Sequence, residues 1–258
     1  MTPSAARRAI GSGARVSAVT LGTMRMGRAG EVADAAALLR HAASIGVATV
    51  HCSSEYDSFP LFRAAWRESR LAAAGVGVIA KVAVPHYGED RFSGQQLRAK
   101  VDAYLGALAI ERIDIVQWLL RYDLKQDEAR LRILHDAAGE LADTVAALKR
   151  EGKIGAFVGF PYTMPIANVL VEADYCDGLA LYVNPLEREM DAAVAACAQT
   201  GKAVIAIRPF AAGRLFAETP TPADEAMRYA LGRPGVTTVV VSASSRAHID
   251  ALRPFLDA

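Results

Sequence analysis

Residues 32 to 52 read VADAAALLRHAASIGVATVHC. Across Val32–Ile45 the apolar residues return every three or four positions, the spacing of a helix with one buried face. Gly46 then supplies the stop, because glycine ends helices in a left-handed conformation at little cost. Ala48–Cys52 follows as a short, mostly apolar run, the composition of a strand covered on both faces. A helix, a glycine stop and a buried strand make up the repeating unit of a parallel sheet.

The alternation continues in both directions along the chain. Candidate strands are Val19–Gly22, Ala48–Cys52, Val76–Ala83, Ile113–Leu120, Ile154–Phe160, Gly178–Val183, Ala203–Arg208 and Thr237–Val241. Ser93–Leu108 reads as a helix opened by a serine N-cap. Asp127–Glu151 is long enough for one helix or two, with Gly139 a candidate break. Asp191–Gln199, Asp224–Leu231 and Ala247–Leu256 complete the helices, and Glu218–Pro222 reads as a loop. Arg8–Val16, with Gly11 and Gly13 between short apolar stretches, reads as a β-hairpin before the first unit. Eight units in 258 residues match one closed α/β barrel of about 250 residues. The expectation is therefore a single (β/α)8 TIM barrel with an N-terminal β-hairpin, residues 1–258 forming one domain.

Composition narrows the partners. A net charge of +1 and 52% hydrophobic residues suit an ordinary globular protein. No basic block with interleaved aromatics points to nucleic acid. No apolar run approaches the roughly 20 residues of a membrane span. Met1–Arg15 is basic but lacks the apolar stretch of a signal peptide. Cys52, Cys176 and Cys197 are too scattered for a disulfide framework or a zinc site; reduced thiols and a cytoplasmic location are expected. His41, His86, His135 and His248 have no ligand spacing, so no metal is expected. Trp66 and Trp118 read as packing residues.

In such a barrel, function sits where strands end. The residues there are Met24, Arg25, His51, Ser53, Tyr56, Lys81, Arg121, Phe160, Tyr162, Asn184, Arg208, Ser242 and Ser244. A tyrosine beside a lysine is a proton-transfer pair: a free phenol titrates near ~10, and a neighbouring ammonium lowers that value. The alternative is a tyrosine and a lysine that merely cap the barrel. His51 is either a group near neutrality that replaces a carboxylate or a hydrogen-bonded structural imidazole. Arg121 and Arg208 would favour an anionic group if both reach the mouth.

These residues and their neighbours are similar to the aldo-keto reductases along nearly the whole chain. Leu21-Gly22-Thr23-Met24 is like the family's first strand, and the step from His51 to Tyr56 equals its step from aspartate to tyrosine. Lys81 matches its lysine. Ile113-Asp114-Ile115-Val116-Gln117, Glu151-Gly152-Lys153-Ile154-Gly155, Tyr182-Val183-Asn184-Pro185-Leu186 and Arg208-Pro209-Phe210-Ala211-Ala212-Gly213 resemble later markers in the same order. The resemblance implies NADPH-dependent reduction of a small carbonyl substrate, with Tyr56 donating the proton, Lys81 tuning it and His51 assisting. It implies a cofactor site at Ser242, Ser244, Ser245, Arg246 and Arg208, with Met24, Arg121, Tyr162 and Asn184 around the substrate.

The chain also departs from that pattern. His51 stands in place of the aspartate, and Leu119 in place of the catalytic histidine. Phe160-Pro161 replaces the Ser-Asn that grips the carboxamide, Ala180 replaces a glutamine, and Ile207 replaces the aromatic that stacks on nicotinamide. Ser242 replaces a glycine, and Leu252 an asparagine. Two alternatives therefore accompany the reductase reading. One is a non-redox isomerase, lyase or cyclase using Tyr56, Lys81 and His51. The other is a catalytically silent binding protein.

Overall fold

Side chains that alternate along a buried strand must satisfy two different surroundings, and the computed structural model shows how this chain does so. It describes residues 7–122 and 126–257. The chain opens with strands β1 (Arg8–Ile10) and β2 (Ala14–Val16), followed by β3 (Val19–Gly22), α1 (Val32–Ser44), β4 (Thr49–Ser53) and α2 (Phe59–Ser69). Next come β5 (Gly77–Ala83), α3 (Gly94–Leu108), β6 (Ile113–Leu119), α4 (Asp127–Arg150), β7 (Ile154–Phe160) and α5 (Met164–Glu172). The last part holds β8 (Gly178–Tyr182), α6 (Asp191–Thr200), β9 (Ala203–Ile207), α7 (Arg214–Glu218), α8 (Ala223–Leu231), β10 (Val236–Ser242) and α9 (Arg246–Asp250). Strands β3 to β10 pair in sequence order, all parallel, and β10 closes on β3. The architecture is the expected (β/α)8 barrel.

The alternation separates two cores. Val78, Ala80 and Val82 of β5, with Val116 and Trp118 of β6 and Leu120 just after it, face outward into the layer shared with the helices. Ile79 and Ala83, with Ile115 and Leu119, face inward and meet Ala156, Val158, Ala180 and Ile205 from the other strands. The inner core is capped by the hairpin, which carries Ile10, Ala14 and Val16 into it. β1 and β2 pair antiparallel, Ile10 opposite Ala14. The hairpin fits because Gly13 has no Cβ: one placed there would stand 2.2 Å from the Gly155 carbonyl oxygen at the start of β7. The hairpin thus seals the end where strands begin and leaves the end carrying the βα loops open.

Several elements differ from the sequence reading. Helices α2 and α5 were not expected. Each carries a proline in its first turn, where no intrahelical N–H is needed, and each buries a stripe at three- and four-residue spacing, such as Phe62, Ala65, Trp66 and Ser69. α4 runs unbroken through Gly139. The last helix stops at Asp250 rather than Leu256, and a separate 3-10 turn forms at Arg253–Phe255; Pro254 disfavours helix at the residue before it. The Ser93 cap holds, its hydroxyl accepting from Gln96 N–H at 3.2 Å. The start of the basic N-terminal stretch lies outside the described residues. Among those described, no helix is long and apolar enough to cross a membrane.

Two glycine substitutions should move stability in opposite directions in urea denaturation. Gly13→Ala is expected to cost more than about 2 kcal/mol through the clash with Gly155. Gly139→Ala, with nothing within 4 Å of the new methyl, is expected to gain about 0.5–1 kcal/mol from helix propensity.

Candidate active site at the barrel mouth

The inward face of β4 carries His51 and that of β6 carries Gln117, both nearly inaccessible to solvent. His51 donates from Nε2 to Gln117 Oε1 over 2.9 Å, which fixes the tautomer of the ring. Burial, reinforced by the positive charge of Lys81, pushes the imidazole down to about 4. His51 is therefore neutral at physiological pH.

Tyr56 stands on the tight turn after β4. Its amide donates to Ser53 O at 3.2 Å, and its carbonyl accepts from Phe59 N–H at 2.8 Å. Tyr104 of α3 ties this turn to β5: its hydroxyl accepts from Ser54 N–H at 2.5 Å and donates to Lys81 O at 2.8 Å. The turn bearing the phenol and the strand bearing the lysine are thus locked together. Lys81 Nζ lies 5.0 Å from the centre of the Tyr56 ring, a cation–π contact rather than a hydrogen bond to the hydroxyl. Burial and Arg121 hold Lys81 down to about 8, against the opposing pull of Glu55. Burial raises the Tyr56 phenol above its ordinary range. The lowering expected from a neighbouring ammonium is outweighed by desolvation, and Arg121 is the cation that opposes the rise.

These groups line a cavity of about 440 Å³ at the mouth, within the usual size of small-molecule sites. It brings together His51, Tyr56, Lys81, Gln117, Met24, Arg25, Phe160, Tyr162, Arg208 and Ser242. Its wall is aromatic. Phe160 packs on Tyr162 with ring centres 4.3 Å apart and on Tyr182 at 5.5 Å, while Phe210 meets Phe216 at 5.3 Å. Arg208 lies 4.5 Å over the Tyr182 ring and pairs with Glu187 at 3.1 Å. The loop after β9 is held in left-handed conformations at Arg208, Ala211, Ala212 and Gly213.

Other candidates fall outside this cavity. Arg121 ion-pairs with Glu55 at 2.5 Å, and His86 joins the same carboxylate at 3.3 Å. Asn184 is buried and spent on the loop after β8: it donates to Glu187 and to Arg208 O, and accepts from the Leu186 and Glu187 amides. Both expected substrate contacts are therefore engaged elsewhere. Ser245 caps α9 by accepting from His248 N–H at 3.2 Å, and Arg246 is exposed beside it. Leu119, in the position expected for a histidine, is buried in the inner core. The sequence reading missed Gln117, Tyr104 and Glu55. Gln117 alone carried a signal, as a polar residue flanked by apolar ones in the second half of β6.

A parallel eight-stranded barrel with tyrosine and lysine at its open end defines a class of enzyme scaffold. The model of the aldo/keto reductase family matches residues 18–225, and the chain belongs to that family. No curated protein matches it. Among solved structures, a Pseudomonas aeruginosa protein described as an aldo-keto reductase is 24% identical, with a TM-score of 0.75 over 99% of this chain and 95% of that one. The holo form of an aldo-keto reductase from Bacillus halodurans is 16% identical, with a TM-score of 0.76 over 98% and 91%. A Klebsiella pneumoniae aldo/keto reductase in complex with NADP and acetate is 20% identical, with a TM-score of 0.71 over 95% and 87%.

The buried imidazole makes stability depend on pH. The unfolded chain binds the proton near pH 6.5 and the folded chain only near about 4, so this contribution is complete above 6.5 and is lost as pH falls toward 4. The loss reaches about 3 kcal/mol. NMR of the ring in the folded protein should show a midpoint near 4; titration near 6.5 would contradict the burial argument.

Proposed function

We propose that the chain reduces small aldehydes or ketones, with NADPH as the hydride source and Tyr56 as the proton donor. The observation that carries this reading is the convergence of Tyr56 and Lys81 on one cavity at the barrel mouth. The cofactor fits the donor set at its charged end. Arg25 lines the rim, and Ser242 ends β10 with Ser244, Ser245 and Arg246 just after it. These residues would hold the phosphates, which guanidinium groups bind well. Bound NADPH would supply the hydride, as the Klebsiella relatives with NADP and NADPH suggest for this chain.

The remaining chemistry belongs to the protein. A phenol raised by burial stays protonated at neutral pH and donates a hydrogen bond to the substrate oxygen. As negative charge develops on that oxygen, Tyr56 passes it the proton. The phenolate left behind is offset by Lys81 and Arg121, since nearby positive charge favours it. His51, neutral and bonded to Gln117, shapes the floor and does not act as an acid. Leu119 offers no second donor; losing one such donor typically lowers the rate by about 10²–10³, so turnover should be slow.

The wall also selects the substrate. With Arg121 engaged by Glu55 and Arg208 paired with Glu187, the cavity favours an uncharged aromatic or apolar body over an anion. Assays should follow NADPH oxidation with a panel of aromatic and aliphatic aldehydes. The expected result is activity that is level below pH 7 and falls as pH rises through about 8, where Lys81 loses its charge, together with a loss of at least about 10²-fold in Tyr56→Phe. Full activity in Tyr56→Phe would overturn the assignment of the proton donor.

A further inference from the structure

The described lysines divide sharply by their partners. Lys149 pairs with Asp177 at 2.6 Å and Lys153 with Asp102 at 2.7 Å. Lys100 donates to Ala83 O at 2.6 Å, and Lys202 to Ala173 O at 2.7 Å. Among them Lys81 alone has neither a carboxylate nor a carbonyl on its Nζ; its contact is the face of Tyr56. His51 occupies the nearby position where a carboxylate would have neutralised it, and that ring is already committed to Gln117. Lys81 also forms a wall between the mouth cavity and a second cavity of about 300 Å³ behind it, lined by Glu55, His86 and Tyr104. The amine is thus reachable, unpaired and flanked by aromatic surface.

We propose that Lys81 is also a nucleophilic amine, condensing with aldehydes of aromatic or apolar body at the barrel mouth to give an imine on Nζ. A lysine in apolar surroundings without a counter-ion is suited to this role. Tyr56, His51, Glu55 and Arg121 are the titratable and charged groups around it; burial and Arg121, against the pull of Glu55, leave Lys81 titrating near about 8, so a useful fraction is free amine near neutrality.

The step balances without a cofactor. The amine lone pair forms a C–N bond to the carbonyl carbon, and the C=O π pair moves to oxygen. That oxygen takes the Tyr56 hydroxyl proton, and the phenolate recovers a proton from the new nitrogen centre. Tyr56 then protonates the carbinol oxygen, the C–O bond breaks, water leaves, and the nitrogen lone pair closes the C=N bond. The products are a protonated imine, water and a phenolate that solvent reprotonates. Such an imine withdraws electrons from the neighbouring carbon, the chemistry an isomerase or lyase needs. The inference does not rest on hydride transfer.

The test uses the whole protein without nicotinamide, with benzaldehyde as the probe and cyanoborohydride to trap the imine. Intact mass and peptide mapping then locate the benzyl group. The expected result is one group per chain, on Lys81, formed on the order of tenfold faster than on Lys100, Lys149, Lys153 or Lys202 at neutral pH. The rate should rise as pH approaches about 8. Labelling spread over the surface lysines, with Lys81 no faster, overturns the inference. The Lys81→Arg variant should lose the fast label; if it fails to fold, the wild-type peptide map still decides. NADPH oxidation without Lys81 labelling leaves the reductase standing and removes this proposal. Labelling without NADPH oxidation does the reverse.

Discussion

The hydrogen bond from His51 to Gln117 holds together the buried floor of the barrel mouth. It spans β4 and β6 at the floor of the cavity and satisfies two buried polar side chains at once, which the low-dielectric interior requires. Burial and the positive charge of Lys81, rather than this bond, keep the imidazole neutral. A carboxylate at that position would hold a lysine charged; a neutral ring cannot. Lys81 is left with the face of Tyr56 as its partner, and desolvation lowers its proton affinity. The same desolvation raises the phenol. A weakened ammonium and a firmly protonated phenol thus stand side by side, both chiefly the product of burial.

That pairing allows two kinds of carbonyl chemistry. With Lys81 protonated, Tyr56 can donate to a developing alkoxide and leave a phenolate that the ammonium supports. With Lys81 free, the amine can attack the carbonyl itself. Both events take place against the same aromatic wall of Phe160, Tyr162 and Tyr182. That wall occupies positions where the family resemblance implies carboxamide contacts, at Phe160 and Pro161. In the proposed cofactor pose Arg25 and Arg246 would meet the phosphates, and the ring would meet this aromatic wall.

The barrel was legible because each strand is short, apolar on both faces and followed by a periodic helix. Glycine punctuation, as at Gly46, marked the ends. What escaped was helix initiated by proline: α2 and α5 begin Phe59-Pro60 and Met164-Pro165, and proline reads locally as a break. The lining of the mouth cavity was legible where residues sit on or just after the strands, as at Tyr56, Lys81 and His51. It was not legible where a side chain meets a partner from a distant element. Nothing local to Arg121 announces that Glu55 holds it, nor that Asn184 braces its own loop. Tyr104 fixes the geometry of Tyr56 and Lys81 from the middle of α3, where a buried tyrosine reads as core. Charge partners and burial are properties of the assembled barrel.

Lys81 is a partly buried amine with no carboxylate on its Nζ among the described residues, and its neighbour on β4 is a neutral ring. NMR titration of lysine side chains measures this directly in the wild type and in His51→Asp. A Lys81 midpoint near 8 is expected in the wild type, moved upward once an aspartate stands at position 51. A wild-type midpoint at the ordinary lysine value of about 10.4, unchanged in His51→Asp, would contradict it.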